Sequence, residues 1–535
     1  TWTGETGDRL WDTAGNWNTG LVPPADGTAS VQIPDAANEP VLASAINLMS
    51  LTIDADASVT LNGQNITCGT SFTNNGTVHS NGAGTVNLPA GSAGVWEYSA
   101  GTVHTGVDFG TLVINGTVLS PASAFSTAAL TVTAGTFTLT NDVEITGTVT
   151  NNGNINVQGR VLDINDYTGT GNMEIGNNGQ LTSSNAASET VNNITFNGAS
   201  STINGGAGLT LGVTSYGSTS LVTTGTVSLP SGTIASLDVQ SGTATVTGNL
   251  TLTGDLTVTG TIDADPGTLT FDGTGVQQVN PGTHTIQNMV IAKTGGSITF
   301  TTNHLTVTTL TQGSANAVGI TFNQNLTVTD AVAFNTSGTV ILGDEDTDEF
   351  IFNGGVTHTA GDTTLSNRLE TSDAAVTLGN LTLGTNAEID SGTALTSILG
   401  TTTGNTHDLT ITGDVDFTGA VSGIGNFDIT GNAEFNGAVT GTGSIDISGT
   451  ADINTTTITT TGTQTYTGDV TLGADAVLTG TLVTFTGQIL GVTNDLSIIG
   501  NAECNDPVSN VGAFYINGNA DINDTITGTA SLEVT

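Results

Sequence analysis

Three short stretches in the last quarter of the chain share one grammar at one spacing. Leu409-Thr-Ile411-Thr-Gly413, Phe427-Asp-Ile429-Thr-Gly431 and Ile445-Asp-Ile447-Ser-Gly449 recur at an 18-residue interval. Each reads apolar, polar, apolar, polar, glycine, which is the two-residue alternation of a half-buried strand closed by a turn residue. A second strand follows in each unit, as Val415-Asp-Phe417, Ala433-Glu-Phe435 and Ala451-Asp-Ile453, and Gly419 and Gly437 close the next turn. A unit of two or three such strands cannot bury its apolar side alone, so successive units must stack. The expected fold is therefore all-β, an elongated β-solenoid of roughly 18–20-residue coils, wound as a right-handed parallel β-helix.

The same pattern resumes as Leu496-Ser-Ile498-Ile-Gly500 and Phe514-Tyr-Ile516-Asn-Gly518, and Leu532-Glu-Val534 opens one more copy. Tyr466-Thr-Gly468 and Phe485-Thr-Gly487 keep the motif at a spacing of 19, as a one-residue insertion at a corner would give. Upstream the pattern is looser, as in Leu250-Thr-Leu252, Leu256-Thr-Val258, Leu305-Thr-Val307, Leu326-Thr-Val328 and Leu381-Thr-Leu383. At about 4.8 Å per rung, about 25 coils would make a rod of about 120 Å. An array of β-sandwiches is the structural alternative. The fixed spacing counts against it, because sandwich strands differ in length and environment.

Composition agrees with strands. Thr outnumbers even the 73 Gly, and β-branched residues favour the pleated sheet over the helix. Against 47 acidic residues stand only Arg9, Arg160, Lys293 and Arg368, a formal charge of -43. Such a chain repels phosphate backbones, so nucleic acid is excluded as a partner, and cations must screen the charge. Disorder is the competing reading of so acidic a chain, but 36% hydrophobic content in regular alternation implies a core. No stretch approaches the apolar length of a membrane helix, so no membrane insertion is expected. The start at Thr1, without Met or an apolar signal region, reads as a processed, exported product. Cys68 and Cys504 are the only cysteines, too few for a disulfide framework.

Thr1-Trp2-Thr-Gly4 through Trp11, Asn16-Trp17 and Pro23-Pro24 to Val31-Gln-Ile33 resembles the Trp-rich opening of large secreted bacterial β-helix proteins, with autotransporter passengers and filamentous adhesins as the named relatives. Phe196-Asn-Gly198, Phe271-Asp-Gly273 with Gln277-Gln278, and Phe352-Asn-Gly354 resemble the Phe-x-Gly signposts of such repeats. The resemblance implies a β-helix and an extracellular, cell-surface setting. No autotransporter-like C-terminal membrane barrel is found, so anchoring by that route is not expected. Three Trp in the first 17 positions are read as part of an N-terminal cap over residues 1–45, with solenoid repeats over 46–535 ending in an uncapped coil. A sugar-stacking platform is the alternative for the Trp residues. An open strand edge at Leu532 to Thr535 is a template for another strand, so head-to-tail polymerisation with further copies is expected.

Stacking at the same interval places Asp416, Glu434 and Asp452 in one column, with Glu503 and Asp521 extending it. Like charges on adjacent strands repel, so this ladder is either solvated or bridged by divalent cations. Asp344, Asp346 and Asp348 alternate along Gly343-Asp-Glu-Asp-Thr-Asp-Glu349 and offer hard oxygen ligands, making calcium the candidate cofactor without an EF-hand pattern. Cys504 is assigned to the column of Phe417, Phe435, Ile453 and Ile522, and Cys68 alternates with Ile66, so both are read as inward-facing apolar residues rather than disulfide partners.

Repeated Thr-x-Thr, as at Thr131-Val-Thr133, Thr138-Leu-Thr140 and Thr257-Val-Thr259, raises ice binding, with columns that drift. Asn75, Asn115, Asn193, Asn325, Asn335 and Asn380 lie in Asn-x-Ser/Thr sequons. No enzyme is expected. The six His at 79, 104, 284, 304, 358 and 407 lack metal spacing, the four basic residues cannot neutralise an acidic sugar, and no acid pair is distinguished as a glycosidase would need. The function expected is an extracellular structural subunit that self-assembles into a filament, sheath or surface array. The alternative is a monomeric adhesin or stalk that binds glycans or a host surface.

Overall fold

The computed structural model describes the whole chain except residues 90–93, 108, 185–188, 197–199, 207, 217–219, 283–284, 302–303 and 314–315. Gly198 and His284, both singled out above, lie outside the described residues. Strand makes up 58% and helix 1%, and parallel coils stack about 19 residues apart through about 25 turns. The chain is a β-solenoid. It divides into two compact units, Thr1–Leu250 with Thr259–Ile262, and Thr251–Val258 with Asp263–Thr535.

In the first unit the inward column Val59, Val78, Trp96, Leu112, Leu130, Val149 and Tyr167 passes from coil to coil in register, every member buried. The step is shortest from Trp96 to Leu112 and longer from Leu130 to Val149, so coil length varies while the column persists. The Trp-rich segment is seated on the first coil. The Trp2 amide donates to the Gln32 carbonyl, Trp11 donates to Val41, and Val41 donates back to Arg9. These bonds occupy strand-edge groups that would otherwise lack partners. Trp2 and Trp11 meet Trp17 edge to face at 5.1 and 4.7 Å, and the indole N–H of Trp17 donates to the Trp11 carbonyl at 2.8 Å. The rings are 1%, 1% and 3% exposed, so none offers a face on which a sugar could stack. Strand Ser30–Ile33, inside the range read as cap, already pairs in parallel with Ile46–Ile53.

In the second unit the regular block has three strands per coil, hence three faces. Face A contains Leu409–Thr412, Asn426–Ile429 and Ser444–Ile447. Face B contains Val415–Phe417, Ala433–Phe435 and Ala451–Ile453. Face C contains Val421–Ser422, Val439–Thr442 and Thr457–Thr460. Glycine at the corners is required by stacking: a Cβ on Gly431 would collide with the Gly413 carbonyl oxygen one coil below.

The strand pairing corrects three sequence assignments. Cys504 lies above Phe485, Tyr466, Ile447, Ile429 and Ile411 on face A, whereas Phe417, Phe435 and Ile453 line face B. Glu503 and Asp521 continue the outward column of Asp428 and Asp446, through Thr465 and Thr484, and not that of Asp416. Leu496, Phe514 and Leu532 belong to face C, not to the face of Leu409. The physical reason is shared. Faces A and B use the same apolar, polar, apolar pattern, face C takes it up at Leu496-Ser-Ile498, and the coils between the two blocks are each slightly longer, so matching one block to the next by pattern alone moves from one face to another.

Candidate functional site

Among the described residues, no helix is long and apolar enough to cross a membrane. Both cysteines are buried free thiols, and burial pushes each up to about 12, with Glu503 adding to the effect at Cys504.

The column Asp416, Glu434 and Asp452 forms as the sequence interval predicts. Asparagine amides divide its charges. Asn436 Nδ2 donates to Asp416 at 2.9 Å, and Asn454 Nδ2 donates to Glu434 at 2.9 Å and to Asn436 Oδ1 at 3.0 Å. The face A column is less well compensated. The Asp428 carboxyl is raised above the usual range by partial burial and then by the charges of Asp446 and Asp408. Lower in that column Arg368 lies between Glu349 and Glu388, and its Nη2 reaches Glu370 at 3.0 Å and Asp390 at 3.1 Å. Among the described residues these are the only carboxylate ion pairs made by Lys or Arg.

The acid-rich segment 344–348 is a corner insertion between Val340–Leu342 and Glu349–Phe352. The three aspartates do not act alike there. Asp348 is buried, and its Oδ2 accepts the main-chain N–H of Asp344 and of Glu345, each at 3.0 Å. Asp344 and Asp346 are exposed. Asp346 and Glu345 line an open depression with Asn367, Thr385, Asn386 and His407, which come from the same corner of the following coils. Among the described residues, no three of His, Cys, Asp and Glu come together as a group that could hold a metal ion.

Much of the acid is used at corners in a way the sequence reading missed. Asn386 Oδ1 accepts the Asp408 amide at 2.9 Å, and Asp408 accepts Asn426 at 2.6 Å. Asp414 accepts Asn432, and Asn432 accepts Thr450, both at 2.9 Å. Asp475 accepts Asp495 at 2.9 Å, and Asp495 accepts Ala513 at 2.6 Å. The first unit has the same device, with Asn65 accepting Thr85 and Asp142 accepting Val161. Each short polar side chain at a corner thus satisfies the N–H of the next coil, which the turn leaves outside the ladders. The signal was an Asp or Asn just ahead of a strand at coil spacing.

Two buried basic groups also went unread. Lys293 is enclosed, its Nζ donating to the Gly275 carbonyl at 2.8 Å and to Gln277 Oε1 at 3.0 Å. Burial lowers its ammonium from the usual lysine range, against the opposing pull of Asp272. His358 is buried between the Thr336 carbonyl, 3.2 Å from Nε2, and Thr363 Oγ1, 2.9 Å from Nδ1. Burial lowers its pKa, while the Thr336 and Gly338 main chain and the Asp362 charge oppose the shift.

No protein-family model, curated protein or solved structure matches this chain.

Proposed function

We propose that the chain is an extracellular structural protein, a self-assembling subunit of a cell-surface filament, sheath or array. The observation that carries this reading is the corner ladder. Side chains that in an enzyme would converge on a substrate are here engaged with the N–H groups of the next coil, in both units. Such an arrangement favours persistence of shape. The cell-surface setting is supported by the resemblance of the Trp-rich opening to secreted β-helix proteins. Cations, calcium among them, serve as counter-ions to the carboxylates at Asp344 and Asp346 and to the columns of Asp416, Glu434 and Asp452.

The test is electron microscopy and light scattering of the full chain, in calcium and in chelator. Ordered polymers that loosen on chelation are the expected result. A monomer in both conditions that binds glycans saturably would replace this reading with the adhesin one.

A further inference from the structure

The three faces of the second unit differ sharply in charge. Face A carries outward Glu349, Glu388, Asp428, Asp446, Glu503 and Asp521. Face B carries Asp416, Glu434 and Asp452. On face C the outward residues Thr299, Thr321, Ile341, Thr364, Thr382, Thr403, Ser422 and Thr440 follow one another in register. The line resumes on the same face with Thr459, Thr479, Ile499 and Asn517. From Ser297 to Asn517 the strands of this face hold one charged side chain, Asp362, which accepts a hydrogen bond from Asn380 Nδ2 at 2.8 Å. Leu399 and Ile499 on or beside the face are each 45% exposed.

We infer that face C is the surface by which two copies of this chain pack side by side, an inference that rests on the self-assembly reading above. Charge selects the occupant. Two chains of formal charge -43 repel through faces A and B, whereas face C brings sheets together with Asp362 as the one carboxylate of its strands, already bonded to Asn380. Area permits it. Twelve rungs at about 4.8 Å, each about 12 Å wide, give about 700 Å² per copy, within the range of stable protein–protein interfaces. The side chains suit it as well. Rows of Thr and Ile at strand spacing present methyl groups that interdigitate with an identical row.

The test is sedimentation velocity on the full chain across a concentration series, in low salt and in about 0.5 M NaCl, where charge repulsion is screened. The chain with Thr382→Asp and Thr403→Asp is compared with one carrying Thr465→Asp and Thr484→Asp on face A, a control with the same loss of strand preference. Circular dichroism confirms that both fold, and Thr382→Val with Thr403→Val provides a variant that keeps the shape. The native chain and the Val pair are expected to associate, more tightly in salt, with the face A control following them. The face C Asp pair should weaken association by about 100-fold or more, because it buries unpaired charge. Association equal in both Asp pairs overturns the face assignment and leaves self-assembly standing. A native chain that stays monomeric in salt at high concentration overturns both. Retention on insoluble cellulose or chitin that only the face C Asp pair loses, without self-association, overturns the second copy as occupant.

Discussion

The block from Leu409 to Ile453 and the stretch from Thr285 to Phe352 belong to the same unit and obey different rules. In the first, Phe427 lies opposite Leu409 and Ile445 opposite Phe427, at one unvarying interval. In the second, Met289 pairs with Leu310 and Leu326 with Phe350, over longer and unequal intervals. Both stretches keep their inward residues buried. Stacked main-chain ladders and apolar columns therefore fix the coil, and the residue count only has to be constant where the corners touch. Tight corners demand glycine; wide corners admit insertions, and the insertions bring polar groups inside.

This contrast can be broken at several points. The largest effect is expected from Phe435→Ala in the regular block, where the ring stacks on Phe417 at 5.7 Å and 5°. Its removal should cost about 3–5 kcal/mol, read as lost hydrogen-exchange protection in the coils on both sides. Next comes Gly431→Ala, which forces backbone apart and should cost about 2–3 kcal/mol. Its counterpart in the irregular stretch, Gly313→Ala, meets no atom within 4 Å and should change stability by less than about 0.5 kcal/mol either way. Denaturant melts of the two variants decide whether corner contact is the difference.

Polar groups in the wide coil should matter more than their equivalents in the regular one. Asp348→Ala strands two main-chain donors and should cost about 1–3 kcal/mol, whereas Asp414→Ala, at an exposed corner, should cost about 1 kcal/mol or less. His358, which clasps the wide coil at Thr336, adds a pH dependence. Its folded pKa is depressed, so the unfolded chain binds the proton more readily near pH 6.5. Its contribution is complete above that pH and is lost as pH falls below it. His358→Gln should flatten the acid side of a melting-temperature profile. The smallest effect runs in the opposite sense: Asp428→Asn removes a carboxylate whose folded pKa is raised, and should raise the melting temperature slightly at neutral pH and low salt. No change there would mean that counter-ions already neutralise the face A column.

The coil, the parallel stacking and the inward direction of Cys504 were legible in the sequence, because apolar alternation and glycine spacing are local signals. The face on which Cys504 lies was not, since faces A and B repeat one pattern and only hydrogen-bond register distinguishes them. The Asp416 column was legible for the same reason that the Glu503 assignment failed: the first spans coils of constant length, and the second crosses the longer coils between the blocks. Lys293 lies past the end of strand Thr285–Ile291, where direction is set by the turn, and it gave no signal. His358 keeps the alternation of Val356-Thr357-His358 and pairs with Leu378, so its inward direction was legible and only its polar partners were not.

The corner ladder also frees the chain's charge from its fold. An acceptor oxygen is all that each rung requires, and Asp414 and Asn432 supply it at equivalent positions with the same 2.9 Å bond. Asn432→Asp would preserve the rung while adding one negative charge. The surface potential of such a protein can be retuned over generations without asking its backbone to move.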